Sequence, residues 1–284
     1  MSLNYKSDIK IAVLRIYLNL KLQVNLFAKL FFMKGWIESL KRTNLGKSIL
    51  YFFVGIFSYP GLAMINKLRI TGTENLEKLP RKNVLFVSNH QTYFADVITM
   101  LHIFCAVKWG KRNRLGFPSY LLNPFTRVYF VAAEETMKKD FISRLFRTAG
   151  CITVKRVWKN EGNDVQRGLN PGSIRVITEA LNDNWVITFP QGTTTPYAPG
   201  RKGAAFIIKQ NKPIVIPVTI IGFSKAFDKK GLKLKKKSTQ LSVNFKKPLD
   251  INYDDSMEDI LQQVMDAIEQ SKKFAPEKVS VPSS

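Results

Sequence analysis

Apolar positions along the chain follow two regimes that meet near residue 70. Residues 8–40 are apolar with scattered cations, among them Lys10, Arg15, Lys21, Lys29 and Lys34. From Ile16 to Leu26 apolar and polar residues alternate, the period of a strand, but most of the apolar residues are leucine, a strong helix former. Helix is the expected state, with no single clean apolar face. Between Lys47 and Lys67 lie nineteen uncharged residues, SILYFFVGIFSYPGLAMIN. As a straight helix they would span roughly 28 Å, just under the roughly 30 Å bilayer core. Pro60 and Gly61 should kink or end that helix, so a shallow re-entrant or interfacial segment competes with a full crossing and with a buried core helix. The aromatic load (Tyr51, Phe52, Phe53, Phe57, Tyr59) with cations at both ends favours the membrane interface.

Beyond residue 70, short β-rich runs alternate with helical stretches. Strands are expected at Val84–Ser88, Val128–Ala132, Ile152–Lys155, Trp185–Phe189, Ile214–Ile220 and Leu241–Phe245. Helices are expected at Ala95–Phe104, Asp140–Ala149, Gly172–Asn182, Arg201–Gln210 and Met257–Lys273. The pattern is α/β, with a mixed sheet flanked by helices. The expected organisation is a membrane-associating helical segment (1–68), an α/β domain (69–274) and a disordered tail (275–284). No internal repeats occur.

Composition changes this picture in one respect. Of 284 residues 45% are hydrophobic, enough to fill a core, yet the formal net charge is +23. An excess that large speaks of partners: nucleic acid, an anionic membrane face or acidic soluble molecules. The lipophilic first 66 residues argue against nucleic acid. The run Lys229–Lys237 carries six lysines in nine residues. Such a run is usually a solvated loop, but beside a lipophilic N-terminus it suits anionic headgroups, at about 1 kcal/mol per lysine near the surface. Cys105 and Cys151 lie in apolar runs without a spaced partner and read as reduced core residues of a cytosol-facing protein. The N-terminus has no short apolar core with a small-residue cleavage site, which argues against a secretory signal. No cluster has metal-ligand spacing. Only two histidines occur, His90 and His102, so any histidine chemistry must use one of them.

Two segments carry candidate chemistry. In VLFVSNHQTYFAD (84–96) an apolar strand ends in Ser88-Asn89-His90, and Asp96 opens a helix. A histidine at the carboxyl edge of a strand is well placed for a cleft, and a nearby carboxylate can orient it as a general base. Taken alone, a satisfied histidine at a strand end fits as well. In WVITFPQGTTTP (185–196) a buried strand leads to a glycine-threonine loop whose amides could bind an anion. Taken alone, this is an ordinary tight turn. His102 lies on an apolar helical stretch and reads as a core residue.

Together the segments resemble the 1-acylglycerol-3-phosphate acyltransferase family. Asn89-His90 with Asp96 is similar to the family's N-H-x4-D, and GCITVKR (150–156) to its G-x2-F-x2-R block. FPQGTTT (189–195) is similar to F-P-E-G-T-R-S, VIPV (215–218) follows as a strand, and Arg201-Lys202-Gly203-Ala204 resembles a basic K-G-A helix start. The resemblance runs from about Ile70 to Phe245. It implies that His90 is the base, Asp96 orients it, and the lipid hydroxyl attacks an acyl thioester, releasing coenzyme A or acyl carrier protein. It further implies that Asn89, Arg156, Gln191, Gly192, Thr193, Thr194, Arg201 and Lys202 bind substrate. No metal or bound cofactor is required; acyl-CoA or acyl-ACP is a co-substrate. A membrane protein follows, monotopic or marginally spanning, with its catalytic domain on the cytoplasmic side.

Three departures bear on this expectation. Five residues separate His90 from Asp96 where the family has four, and one extra helical residue rotates a side chain by about 100°. Asp96 remains the expected partner only if the intervening turn absorbs the insertion, since Ala95 cannot replace it. Gln191 stands where the family has glutamate and Thr194 where it has arginine. Loss of that arginine removes roughly 1.5–3 kcal/mol of charge-assisted bonding to a phosphate. Arg156, Arg201 or Lys202 would compensate, or the acceptor lacks a phosphate, as a lyso-ornithine or lyso-glycine lipid does. A catalytically inactive membrane-binding relative is the remaining alternative.

Overall fold

A computed structural model describes residues 44–136, 141–154, 156–161 and 164–276. The expectations for the first 43 residues and for the tail from 277 onward lie outside these. In chain order the elements are α1 (Asn44–Tyr59), β1 (Lys67–Thr71), α2 (Glu74–Glu77), β2 (Val84–Ser88), α3 (Ala95–Lys108), β3 (Val128–Ala133), α4 (Phe141–Thr148) and β4 (Cys151–Val154). They continue with β5 (Arg156–Glu161), β6 (Asp164–Leu169), α5 (Pro171–Asp183), β7 (Trp185–Thr188), α6 (Lys202–Asn211), β8 (Ile214–Ile221), α7 (Phe223–Ala226), β9 (Gln240–Phe245) and α8 (Met257–Ala267).

Seven strands form one sheet in the order β1-β9-β8-β2-β7-β3-β4, parallel throughout except where β9 runs against β8. This is the expected mixed α/β sheet. Every residue of β2 is buried, as a central parallel strand covered on both faces requires. Its side chains alternate between two layers. Val84 and Phe86 join a core with Met100 and Phe104 of α3. Leu85 and Val87 join another with Ile177 and Leu181 of α5, Ile208 of α6 and Val264 of α8. α3 is buried along nearly its whole length, which explains its lack of a polar face.

Three elements differ from expectation. β1, with the sequence KLRIT, escaped notice because its outer positions are cationic, which an edge strand tolerates. β5 and β6 pair as a separate antiparallel hairpin whose residues are mostly polar. The helix expected over Met257–Lys273 stops at Ala267, and a single 3-10 turn forms at Lys272–Phe274. Glu269 sits at φ 58°, a left-handed conformation that no helix can pass through, and its carboxylate takes a 2.7 Å ion pair from Lys246.

α1 does not end at Pro60. It runs on as a π-turn over Pro60–Met64, where Ile65 N–H reaches back five residues to the Pro60 carbonyl at 2.8 Å. The apolar helical stretch Leu45–Met64 has the length and composition to cross a membrane. It is nonetheless tied to the domain along its length. Lys47 Nζ donates to Val128 O at 2.6 Å and Tyr51 OH to Ala149 O at 3.0 Å. Gly55 lets the helix meet Leu121 so closely that a Cβ would lie 2.5 Å from its methyl group. Ser58 Oγ bonds His102 Nε2 at 2.8 Å. Leu45, Phe53 and Met64 remain exposed on the other side.

His102 is a core residue, as its apolar setting predicts. Its ring joins Ser58 of α1 to Tyr120 OH, 2.9 Å from Nδ1. Burial pushes its pKa down to about 4 from an ordinary 6.5. The folded state therefore holds the neutral ring while the unfolded chain takes up a proton, so stability is retained above pH 6.5 and lost as pH falls toward 4. The full loss is about 3 kcal/mol. Urea denaturation at pH 7 and pH 4.5 should show this fall, and His102→Gln, which keeps a donor but cannot titrate, should flatten it.

Candidate active site

Parallel pairing of β2 with β7 matches Val87 to Thr188, and pairing with β8 matches Ser88 to Val218. The residues following all these strand ends leave the sheet at one edge, where open α/β sheets place ligands. His90 and Phe189, which follow β2 and β7, meet there. Their rings stack with centroids 3.8 Å apart and planes inclined by 20°. The two candidate segments, about a hundred residues apart, thus form one site.

Asp96 lies in the first turn of α3 and is wholly buried. Its Oδ2 accepts from His90 Nδ1 at 2.9 Å, Gln91 N–H at 2.6 Å and Thr92 N–H at 3.1 Å, and Oδ1 accepts from Thr92 Oγ1 at 2.7 Å. Four donors match a buried acceptor-only carboxylate. With Nδ1–H donating to Asp96, the ring's other nitrogen, Nε2, is the acceptor, and the side chain is 13% exposed. The extra residue is absorbed by the turn from Gln91 to Phe94. Two of its amides bond outward, Tyr93 N–H to Lys229 O at 3.1 Å and Phe94 N–H to Lys230 O at 3.0 Å.

The second segment turns at Gly192, with φ 60°. A Cβ there would sit 2.8 Å from Arg201 Nε, so glycine is needed both for the conformation and for the guanidinium crossing it. Arg201 ties the loop, its backbone N–H on Pro190 O and its Nε–H on Gln191 O, both at 2.9 Å. Thr193 Oγ1 accepts from Thr195 N–H at 3.2 Å, a local hydroxyl turn, and Thr194 beside it is half-buried.

Three residues expected to bind substrate are placed otherwise. Asn89 Nδ2 donates to Ile220 O at 2.8 Å and its Oδ1 accepts from Ile220 N–H at 2.7 Å. The buried amide prolongs the β2–β8 pairing as a strand backbone would. Gln191 is buried, and its Nε2 donates to Ala198 O at 2.9 Å and Gln270 Oε1 at 3.3 Å. Lys202 forms an ion pair with Glu258 of α8. The expectation for Arg156 concerns a side chain outside the described residues. Phe189 and Thr92 were not singled out as site residues. Phe189 reads in sequence as the end of a strand, and nothing there marks it as the ring beneath His90.

The protein-family profile described as acyltransferase matches residues 67–221. The chain belongs to the acyltransferase family. The assignment drawn from the motif blocks is thereby borne out, and His90, Asp96, Phe189 and Gly192 all fall within the family segment. No curated protein matches. Among solved structures the chain is similar to the 1-acyl-sn-glycerophosphate (LPA) acyltransferase PlsC from Thermotoga maritima, at 18% identity and a TM-score of 0.51, over 92% of this chain and 94% of that one. That likeness is one of fold.

Gln191 explains its own departure from the family pattern. Its nitrogen must donate to two oxygens, which a carboxylate cannot do. Gln191→Glu should cost about 1–3 kcal/mol in urea denaturation at pH 7 by leaving Ala198 O unpaired beside a charge.

Proposed function

We propose that the protein is an O-acyltransferase that moves a fatty acyl chain from acyl-CoA or acyl-ACP to the free hydroxyl of a lyso-lipid. The default acceptor is 1-acyl-sn-glycerol-3-phosphate, giving phosphatidic acid. One observation carries this reading: the His90 ring is held by Asp96 through Nδ1 and seated on Phe189, which leaves Nε2 as the acceptor. Nε2 takes the proton of the acceptor hydroxyl, and the oxygen attacks the thioester carbonyl. The tetrahedral intermediate collapses with loss of the thiolate, which recovers the proton from His90. The amide of Thr193 is the candidate donor to the developing charge, since the Gly192 N–H is engaged by Phe189 O at 2.9 Å, and Arg201, whose side chain crosses that turn, is the candidate for the cation that Thr194 does not supply. Arg156 is the second headgroup candidate.

The exposed side chains of α1, with Trp109, Phe117 and Leu122, suit contact with a membrane surface. The second reading, a lyso-ornithine or lyso-glycine acceptor, is favoured by Thr194, which offers a phosphate no charge.

His90→Ala should lower turnover of acyl donor by about a thousandfold or more, and Asp96→Asn by about a hundredfold or more, both with unchanged circular dichroism. Purified protein assayed with each acceptor and each donor identifies the substrate. Activity on the amino lipid alone would replace the default acceptor. An active His90→Ala variant would sink the mechanism.

A further inference from the structure

The lysine run is part of the site's scaffold as well as of its surface. Its first residues supply the carbonyls, Lys229 O and Lys230 O, that hold Tyr93 and Phe94 of the His90–Asp96 turn. Gly231, at φ 77°, packs so closely on that turn that a Cβ would lie 2.5 Å from Ala95 N and 2.8 Å from Thr92 Oγ1, the hydroxyl that bonds Asp96. Asp228, the only acid from 223 to 239, stiffens the loop by accepting from the Leu232 and Lys233 amides at 2.8 and 2.9 Å. At its other end the segment is stitched to the tail of the apolar helix. Ser238 N–H bonds Ile65 O, Lys67 N–H bonds Thr239 O, and Thr239 N–H bonds Asn66 Oδ1, each at 3.0 Å.

The segment therefore runs from the exposed end of an apolar helix, where Met64 is 54% exposed, to the backbone of the histidine–aspartate turn. Along it Lys229, Lys230, Lys233, Lys235, Lys236 and Lys237 are all exposed, as is Leu232. Continuity with the apolar helix selects the occupant, because cations beside exposed apolar side chains complement anionic headgroups over hydrocarbon. We propose that residues 228–239 form a cationic strap that binds an anionic lipid surface and, through its bonds to Tyr93 and Phe94, makes the His90–Asp96 turn responsive to that surface. The strap rests on the reading of the site as one that works at a membrane, and adds to it a contact that orders the turn.

The test uses the full chain with vesicles of phosphatidylcholine alone or with about one-third phosphatidylglycerol. Wild-type protein should float preferentially with the anionic vesicles, and K233Q/K236Q/K237Q should lose on the order of a hundredfold of that partition. Hydrogen exchange at the Tyr93 and Phe94 amides should slow when wild-type protein binds anionic vesicles. In Gly231→Ala, whose new Cβ separates strap from turn, flotation should persist while that slowing disappears. The inference is overturned if the triple variant floats like the wild type, or if exchange at the two amides ignores the vesicles. It is also overturned if the lysines retain an acidic carrier protein without preferring anionic vesicles. None of these readouts needs turnover. Absence of acyl transfer with every acceptor would remove the proposed activity alone, and failure of flotation in an active enzyme would remove the strap alone.

Discussion

Parallel pairing of β2 with both β7 and β8 is the constraint on which the rest of the molecule depends. Parallel neighbours end at the same edge, so the residues after β2 and β7 arrive together however far apart they lie in the chain. A parallel centre also buries both faces of β2, which demands helices on each side. α3 meets that demand on one face, and its first turn is the one place from which Asp96 reaches back to His90. Strand pairing, helix docking and the histidine–carboxylate contact are thus consequences of one arrangement. Asn89 secures it, since its amide carries the β2–β8 pairing past the end of the strand and fixes the backbone from which His90 projects.

Charge burial shapes the remainder of the site. A carboxylate with no exposure needs its acceptor capacity filled, and Asp96 draws three of its four donors from Gln91 and Thr92 of the turn that carries the extra residue. Curling the turn around the carboxylate leaves the amides of Tyr93 and Phe94 pointing outward, where Lys229 and Lys230 take them. The turn and the lysine loop are therefore held as one unit. Gln191 follows the same logic with opposite sign. Its surroundings present oxygens, Ala198 O and Gln270 Oε1, and an amide nitrogen satisfies what a glutamate would repel.

Legibility in the sequence divided along the same physical lines. The central strands were readable because complete burial forces continuous β-branched and aromatic runs, as in VLFVS and WVIT. β1 and the β5–β6 hairpin were not, because edge and isolated strands may be polar and leave no such run. The break at Glu269 was hidden too, since a left-handed residue that is not glycine carries no compositional mark. His90 and Asp96 were readable as a motif, and His102 as core from its apolar neighbours. The places of Asn89, Gln191 and Lys202 were not, because each is set by a partner 56 to 131 residues away in Ile220, Gln270 and Glu258. Local sequence reports what a side chain can do and is silent on which distant backbone it meets.

α1 shows how that distinction bears on the proposed membrane reading. By length and composition it qualifies as a span, but Lys47, Tyr51 and Ser58 attach it to Val128, Ala149 and His102 from 47 to 58 along its length. Pulling it into a bilayer would strip the Lys47 amine and the Tyr51 hydroxyl of their partners and leave the buried His102 ring without Ser58, each a cost of a few kcal/mol in hydrocarbon. On the proposed reading, the helix would therefore reach lipid only with the domain attached, offering Leu45, Phe53 and Met64 to the interface while its other face stays on α3 and the sheet. On the proposed reading, such a helix would seat the domain on the surface instead of tethering it at a distance. An acceptor whose acyl chain remains in the membrane could then meet His90 without leaving the lipid phase, which is the geometry a lyso-lipid acyltransferase needs.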